Sequence, residues 1–408
     1  MSHDLLVTDA SEVFVDRDTQ IPDGAVAVAD GEIVDVGPTA AVTREYPPEN
    51  AAERIDASGK TVLPGFVDAH THALFAGDRS DEYAAKLRGK TYEEILEDGG
   101  GILSTVRAVR QADESTLLEN LLGHLDVMLA HGTTTVEVKS GYGLDVDTEL
   151  TMLDVVDRAD DDHPIDLVPT FMGAHAVPDD REESAYVDSV IDHQLPAVAD
   201  QGIAEFCDVF TETGVFSVEQ SRRVLEAGID YGLTPKVHAE ELSHLGGSQL
   251  AAEVGAASAD HLLHATEADA SALADAGVTA VFLPGTAFSL GAEYADHEPF
   301  AAAEAPVAVA TDFNPNCYSQ SMPMAVALAC SGMGMAPRDA VAAATAGGAS
   351  ALDRPSLGSL EIGNPADLVV LDGPSHVSVP YNFGVNAVET VVKNGEIVTG
   401  ERTSGSTT

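Results

Sequence analysis

Across residues 63–355, short apolar runs alternate with amphipathic segments, and this alternation restricts the possible fold more than any other feature of the chain. Strand-like runs fall at 65–70, 133–139, 165–173, 204–211, 234–238, 258–262, 279–284 and 306–312. Between them, segments such as 114–130, 149–159, 218–231 and 267–276 carry apolar residues at helical spacing, with Gly, Ser, Thr or Asp at several of their ends. Eight strand–helix alternations in roughly 290 residues predict an α/β architecture, a closed (β/α)8 TIM barrel whose functional groups lie at the C-terminal ends of the strands. A doubly wound open sheet is the alternative. It gives no reason for polar residues at so many strand ends, and no Gly-x-Gly-x-x-Gly follows the first run to bind a dinucleotide.

The two ends of the chain differ from the middle. Residues 5–37 hold short β-like runs with a tight-turn signal at Asp30-Gly31, and 366–372 and 388–398 repeat the style around Asn394-Gly395. Neither end has a helix-rich partner of its own. We therefore expect residues 1–62 and 358–408 to meet as one small β-sandwich domain, with the barrel of residues 63–357 inserted between them.

The formal charge of −48 comes from 68 Asp and Glu against 20 Lys and Arg, spread in clusters such as Asp160-Asp161-Asp162 and Asp179-Asp180. Self-repulsion on that scale suits a protein working in concentrated salt, where screening is short-ranged. It disfavours nucleic acid and anionic membranes as partners, because no basic patch exists to release counterions. Three cysteines without Cys-x-x-Cys spacing, and no run of eighteen apolar residues or signal-like N-terminus, lead to the expectation of a cytoplasmic protein.

The strand ends carry the chemistry. The first run ends in His70-Thr71-His72, and residues i and i+2 of a strand face the same side. With 14 histidines, about one such chain in two would hold this pair by chance. Later ends bring His175, His238, Asp260-His261 and Thr311-Asp312, which a closed barrel gathers at one mouth. His238 alone reads as a core histidine. Converging imidazoles and a carboxylate with one open position instead describe a hydrolytic metal site.

Pro64-Gly-Phe-Val-Asp-Ala-His70-Thr-His72 and the ends at His238 and Asp312 resemble the amidohydrolase superfamily. Gly99-Gly-Gly-Ile-Leu-Ser-Thr-Val, Glu137-Val-Lys-Ser-Gly-Tyr-Gly-Leu, Thr170-Phe-Met-Gly-Ala-His-Ala-Val-Pro, Asp208-Val-Phe-Thr-Glu-Thr-Gly-Val-Phe, Ser258-Ala-Asp-His-Leu and Thr311-Asp-Phe-Asn-Pro are similar, in the same order, to its imidazolonepropionase family. The resemblance implies hydrolysis of a small molecule, 4-imidazolone-5-propanoate, to N-formimidoyl-L-glutamate in histidine degradation. It implies one divalent ion, zinc or iron(II), on His70, His72, His238 and Asp312, with His261, Glu241 and Asp312 doing the proton chemistry. Arg79 would hold the substrate carboxylate, beside Tyr142, His175, Glu241, Asn314, Asn316 and Cys317. The family commonly has glycine and then serine or threonine where this chain has Asn316-Cys317, so contacts there depart from the pattern. Cys317 has no assigned base and is not read as a nucleophile. Lys139 could be carbamylated to bridge two ions, but binuclear relatives carry that lysine on strand four, which favours one ion. Family members are dimers, which implies a homodimer.

Overall fold

The computed structural model describes residues 3–90, 94–95, 98–400 and 403–404. Eight parallel strands follow one another round a single sheet: β6 (Phe66–Asp68), β7 (Thr133–Lys139), β8 (Asp166–Ala174), β9 (Phe206–Thr211), β10 (Thr234–Ala239), β11 (Ser258–His261), β12 (Thr279–Phe282) and β13 (Val307–Val309). The last strand meets the first at a seam. Thr71 bridges Phe313, Asp312 donates its N–H to the His70 carbonyl at 3.1 Å, and His72 donates to the Phe313 carbonyl at 2.9 Å. Asp68 fastens the same seam by accepting the Thr311 N–H at 3.0 Å and hydroxyl at 2.6 Å.

The first and last strands are shorter than the apolar runs 65–70 and 306–312. Their final residues leave the ladder, and Asp312 takes a left-handed conformation, φ 51°. The helix expected at 149–159 runs from Val146 to Asp162, because Asp145 caps it by accepting the Thr148 N–H at 2.9 Å. Glu114–Ala130 and Glu267–Ala276 are helical as expected.

The termini form a second, nine-stranded mixed sheet ordered β16-β15-β14-β5-β1-β2-β3, with β4 on β1 and β17 on β4. Its members are β1 (His3–Phe14), β2 (Gln20–Ala29), β3 (Glu32–Pro38), β4 (Ala51–Asp56), β5 (Thr61–Pro64), β14 (Leu368–Leu371), β15 (Val388–Lys393), β16 (Glu396–Thr399) and β17 (Thr403–Ser404). It branches because β1 pairs in parallel with β4 through its first half and with β5 through its second. Both hairpin signals turn as expected, with positive φ at Asp30, Gly31, Asn394 and Gly395, the signature of a type I′ turn. One buried cluster, including Val13, Val26, Val62, Leu368 and Val392, draws on both ends of the chain. Among the described residues, no helix is long and apolar enough to cross a membrane.

Candidate metal centre and active site

On β7 and β10 the apolar residues Val136, Val138 and Val237 pack into the main core cluster, and the charged residues that alternate with them take the opposite face. Residues 133–139 of β7 are buried at every position, with Glu137 and Lys139 facing the same way. Lys236 and His238 repeat that spacing on β10, joined by Asp208 from β9 and Asp260 from β11, and none of these six is more than 3% exposed. This ionic floor adjoins a buried apolar cluster that includes Val67, Val168, Phe206 and Val281, with Lys236 Nζ 5.6 Å from the Phe206 ring. Lys139 Nζ lies 2.7 Å from both Glu137 Oε2 and Asp208 Oδ2. Burial opposes the Lys139 charge, yet the carboxylates of Asp208, Glu137 and Asp260 raise its pKa, so it stays an ammonium. Lys236 Nζ sits 3.5 Å from Glu137 and 3.9 Å from Asp260, and donates to the Ala69 carbonyl at 3.2 Å.

This floor orients the histidines above it. Asp260 Oδ2 lies 2.6 Å from His70 Nδ1, and Asp208 Oδ1 lies 3.1 Å from His238 Nδ1. Each carboxylate places the proton on Nδ1 and leaves Nε2 with its lone pair facing the mouth. His70 Nε2 is then 3.6 Å from Asp312 Oδ1, His72 Nε2 is 3.8 Å from the same oxygen, and the Nε2 atoms of His72 and His238 are 3.3 Å apart. Several of these buried nitrogens lack a hydrogen-bond partner within the protein: His70 Nε2, His72 Nδ1 and both nitrogens of His261. Unsatisfied buried groups each cost about 1–3 kcal/mol, and four gathered around one point favour a ligand there. Three imidazoles and one carboxylate fit a divalent cation.

His70, His72, His238 and Asp312 therefore come together as the sequence leads one to expect, and His261 joins them. Its ring centroid is 5.2 Å from that of His70 and 5.0 Å from that of His238. Burial, followed by neighbouring cationic groups, drives the pKa values of His70, His72 and His261 well below the ordinary histidine value. Glu241 Oε2 approaches His261 Nε2 at 3.6 Å, and burial next to Asp312 and Glu212 pushes its pKa up to about 8. Asp312 is raised by burial, and its Oδ2 accepts the Thr286 hydroxyl. The backbone is left-handed at Glu240, His261, Leu262 and Asp312, with φ between 51° and 82°. Such conformations at non-glycine residues store strain that characteristically collects at active sites.

Tyr142 and His175 line one wall. The His175 ring stacks on His72 at 4.8 Å, Tyr142 lies 5.8 Å from His72, and His175 Nδ1 donates to the Gly141 carbonyl at 3.0 Å. Arg79 lies close enough to Tyr142 to influence its ionisation, but the guanidinium is engaged: Nε and Nη2 both donate to Glu82 Oε2, at 3.0 and 2.8 Å. Beyond Asp312, Asn314 Oδ1 accepts the N–H groups of Asn316 and Cys317 at 2.7 and 3.0 Å, while Asn316 Oδ1 accepts from Lys86 Nζ at 2.9 Å. The Cys317 thiol is buried against the Thr311 carbonyl and raised by burial, and its backbone is engaged as well, the carbonyl accepting the N–H groups of Asn314 at 3.1 Å and Ser319 at 2.9 Å. A further acidic group, Glu240, His244 and Asp269, is not a comparable centre. The Glu240 carboxylate takes three backbone N–H groups, and Asp269 bonds His244 and caps a helix through Thr266.

Sequence reasoning gave no role to Asp208, Glu137, Lys236 or Glu149, and placed Asp260 only beside His261. The available signal was a charged residue two positions before a candidate ligand within a strand, as in Lys236-x-His238.

The amidohydrolase family model matches residues 61–398, and the model of the bacterial imidazolonepropionase-like composite domain matches residues 24–48. The imidazolonepropionase of Haloarcula marismortui is 67% identical, with 92% of this chain and 90% of that protein covered. The chain belongs to the imidazolonepropionase family of amidohydrolases. Members from Halobacterium salinarum (63% identical; 93% and 92% covered) and Geobacillus kaustophilus (49%; 93% and 90%) share it at similar extent. Among solved structures, a triazine hydrolase variant superposes with a TM-score of 0.77 at 20% identity, covering 97% of this chain and 94% of that one. An adenosine deaminase from Xanthomonas campestris with bound zinc superposes at 0.74 and 20%, covering 98% and 93%. At that identity the likeness shows the shared amidohydrolase fold. The family is metal-dependent, in keeping with the clustered histidines.

Proposed function

We propose that the protein hydrolyses 4-imidazolone-5-propanoate to N-formimidoyl-L-glutamate, the third step of histidine degradation. The observation that carries the reading is the His70–His72–His238 cluster, with Asp312 Oδ1 3.6 Å from His70 and 3.8 Å from His72, together with similarity over 92% of the chain to an imidazolonepropionase. One water adds to the ring carbonyl carbon, the adjacent C–N bond breaks, and the leaving nitrogen takes up a proton. A divalent ion held by these four residues would supply Lewis acidity, acidifying water and polarising the carbonyl. Zinc and iron(II) both suit three imidazoles and a carboxylate. The ammonium state of Lys139, locked between Glu137 and Asp208, favours one ion, because carbamylation needs a neutral amine.

In this reading Asp312, whose Oδ2 accepts the Thr286 hydroxyl, accepts the proton of the attacking water and returns it to the leaving nitrogen, a task that His261 could share. His261, kept neutral by burial, stabilises charge on the carbonyl oxygen by donating a hydrogen bond. Glu241 retains its proton near neutral pH and can donate to the substrate ring. Tyr142 and His175 wall the ring, and Asn314, two residues beyond Asp312, would approach it with Asn316 and Cys317. Arg79 offers the substrate carboxylate the Nη1 side of a fork whose other side Glu82 occupies.

Turnover is measured by loss of the imidazolone chromophore, generated in situ from urocanate, alongside metal content and in molar KCl. Fully metal-loaded protein without turnover would overturn the assignment. The charge of −48 supports work in strong salt, so the melting temperature should rise with KCl; a flat profile removes that reading. Arg79→Ala should retain metal and raise KM about 10- to 100-fold, the loss of one charge-assisted bidentate contact. An unchanged KM would show that Arg79 serves Glu82 alone.

A further inference from the structure

The substrate-facing wall rests on a short loop, Gly141 to Asp145, whose backbone groups are held from two sides. Glu149, fully buried on the first turns of the helix Val146–Asp162, points its carboxylate back into the loop. Oε2 accepts the Gly141 N–H at 3.0 Å, and Oε1 accepts those of Gly143 and Leu144, both at 2.8 Å. From the other side Arg110 Nε donates to the Gly143 carbonyl at 2.7 Å and pairs with Asp145 at 3.0 Å. The Gly141 carbonyl is taken by His175 Nδ1, which settles that ring's tautomer. Two glycines are required by this packing. A Cβ at Gly141, where φ is 95°, would stand 2.9 Å from the Met172 carbonyl and 3.0 Å from His175 Nδ1; one at Gly143 would stand 2.8 Å from Glu149 Oε1.

We infer that Glu149 is a positioning residue for substrate: by gathering three N–H groups of one loop, it sets the Tyr142 ring and the His175 tautomer against His72 before substrate arrives. The inference rests on the proposed hydrolysis of an imidazolone for its substrate, but not for its geometry. Glu149 touches none of the four candidate metal ligands. Its effect is therefore separable from theirs, and it belongs to recognition rather than to the ion. A carboxylate suits this position because all its lone pairs accept. Glu149→Gln is nearly isosteric, yet whichever way its amide lies, an N–H opposes one of the loop N–H groups.

Glu149→Gln is expected to lower kcat/KM about 10- to 100-fold, chiefly through KM, with metal content unchanged, as displacement of a positioning element by about an ångström does. In a Tyr142→Ala background the same substitution should lose most of its effect, whereas with Arg79→Ala the two defects should multiply. Hydrogen exchange supplies a readout independent of substrate: amides of 141–144 should lose protection while the rest of the helix Val146–Asp162 keeps it. Should Glu149→Gln fail to fold, Gly143→Ala crowds the same carboxylate and is expected to reproduce the KM defect. Unaltered loop protection, or equal losses with and without Tyr142, overturns the inference. Failure of the parent enzyme to consume the imidazolone, with loop protection lost in Glu149→Gln, would instead overturn the substrate assignment and leave the positioning role standing.

Discussion

His238→Ala is expected to strip the centre of its ion and to reduce turnover at least about 1,000-fold, beyond the roughly 10- to 100-fold that loss of an outer partner of a ligand brings. His238 is one corner of a donor set in which its Nε2 lies 3.3 Å from that of His72, while Asp312 Oδ1 lies 3.6 Å from His70 Nε2 and 3.8 Å from His72 Nε2. Asp208→Asn gives the internal comparison. It keeps His238 but weakens the hold on its Nδ1 proton, so it should fall in the smaller range and retain part of its metal. Elemental analysis per chain and kcat/KM on the same preparations check both. A chelator should lower the melting temperature of the parent protein, which gains stability from bound ion by mass action, and leave that of His238→Ala unmoved. Full metal occupancy in His238→Ala would show that the ion lies elsewhere.

Lys139→Met should destabilise the fold by about 3–5 kcal/mol, the effect of breaking a buried ion pair from one side. The lysine is wholly buried, 2.7 Å from two carboxylates and 4.0 Å from a third, Asp260. Its removal leaves Lys236, 3.5 Å from Glu137 and 3.9 Å from Asp260, as the remaining lysine of the barrel floor. Two of those three carboxylates orient metal-facing histidines, so metal affinity should fall together with stability. Denaturant unfolding and metal titration measure the two losses. Adding Glu137→Gln to Lys139→Met should recover part of the stability, because it removes one of the stranded charges. Full additivity of the two substitutions would contradict the pairing. Activity that depended on added bicarbonate would contradict the ammonium state and point to a carbamate.

Much of the architecture was legible because local order encodes it. The eight apolar runs became the eight barrel strands, and Asp30-Gly31 and Asn394-Gly395 made the turns their backbone preferences dictate. The ionic floor was less legible. An alternating stretch such as Thr-Val-Glu-Val-Lys ordinarily has its polar side in water, whereas a barrel wrapped in helices turns that side toward its own axis. The pairing of Arg79 with Glu82 and the grip of Glu149 on the Tyr142 loop were also invisible, since each depends on where a side chain bends back after the chain has folded.

By itself the sequence determined which side chains could serve: a His-x-His at one strand end, further histidines and an aspartate at others, and an arginine seven residues beyond the first pair. Strand periodicity sufficed for that, because it decides which residues share a face. Only the tertiary structure decided how they act. Asp260 and Asp208 reach His70 and His238 across 190 and 30 residues of chain and orient the ring nitrogens, while the seam bonds from Asp312 to His70 and from His72 to Phe313 bring the carboxylate to the imidazoles. Proton placement and the last few ångströms depend on contacts between distant strands, and no local pattern carries them.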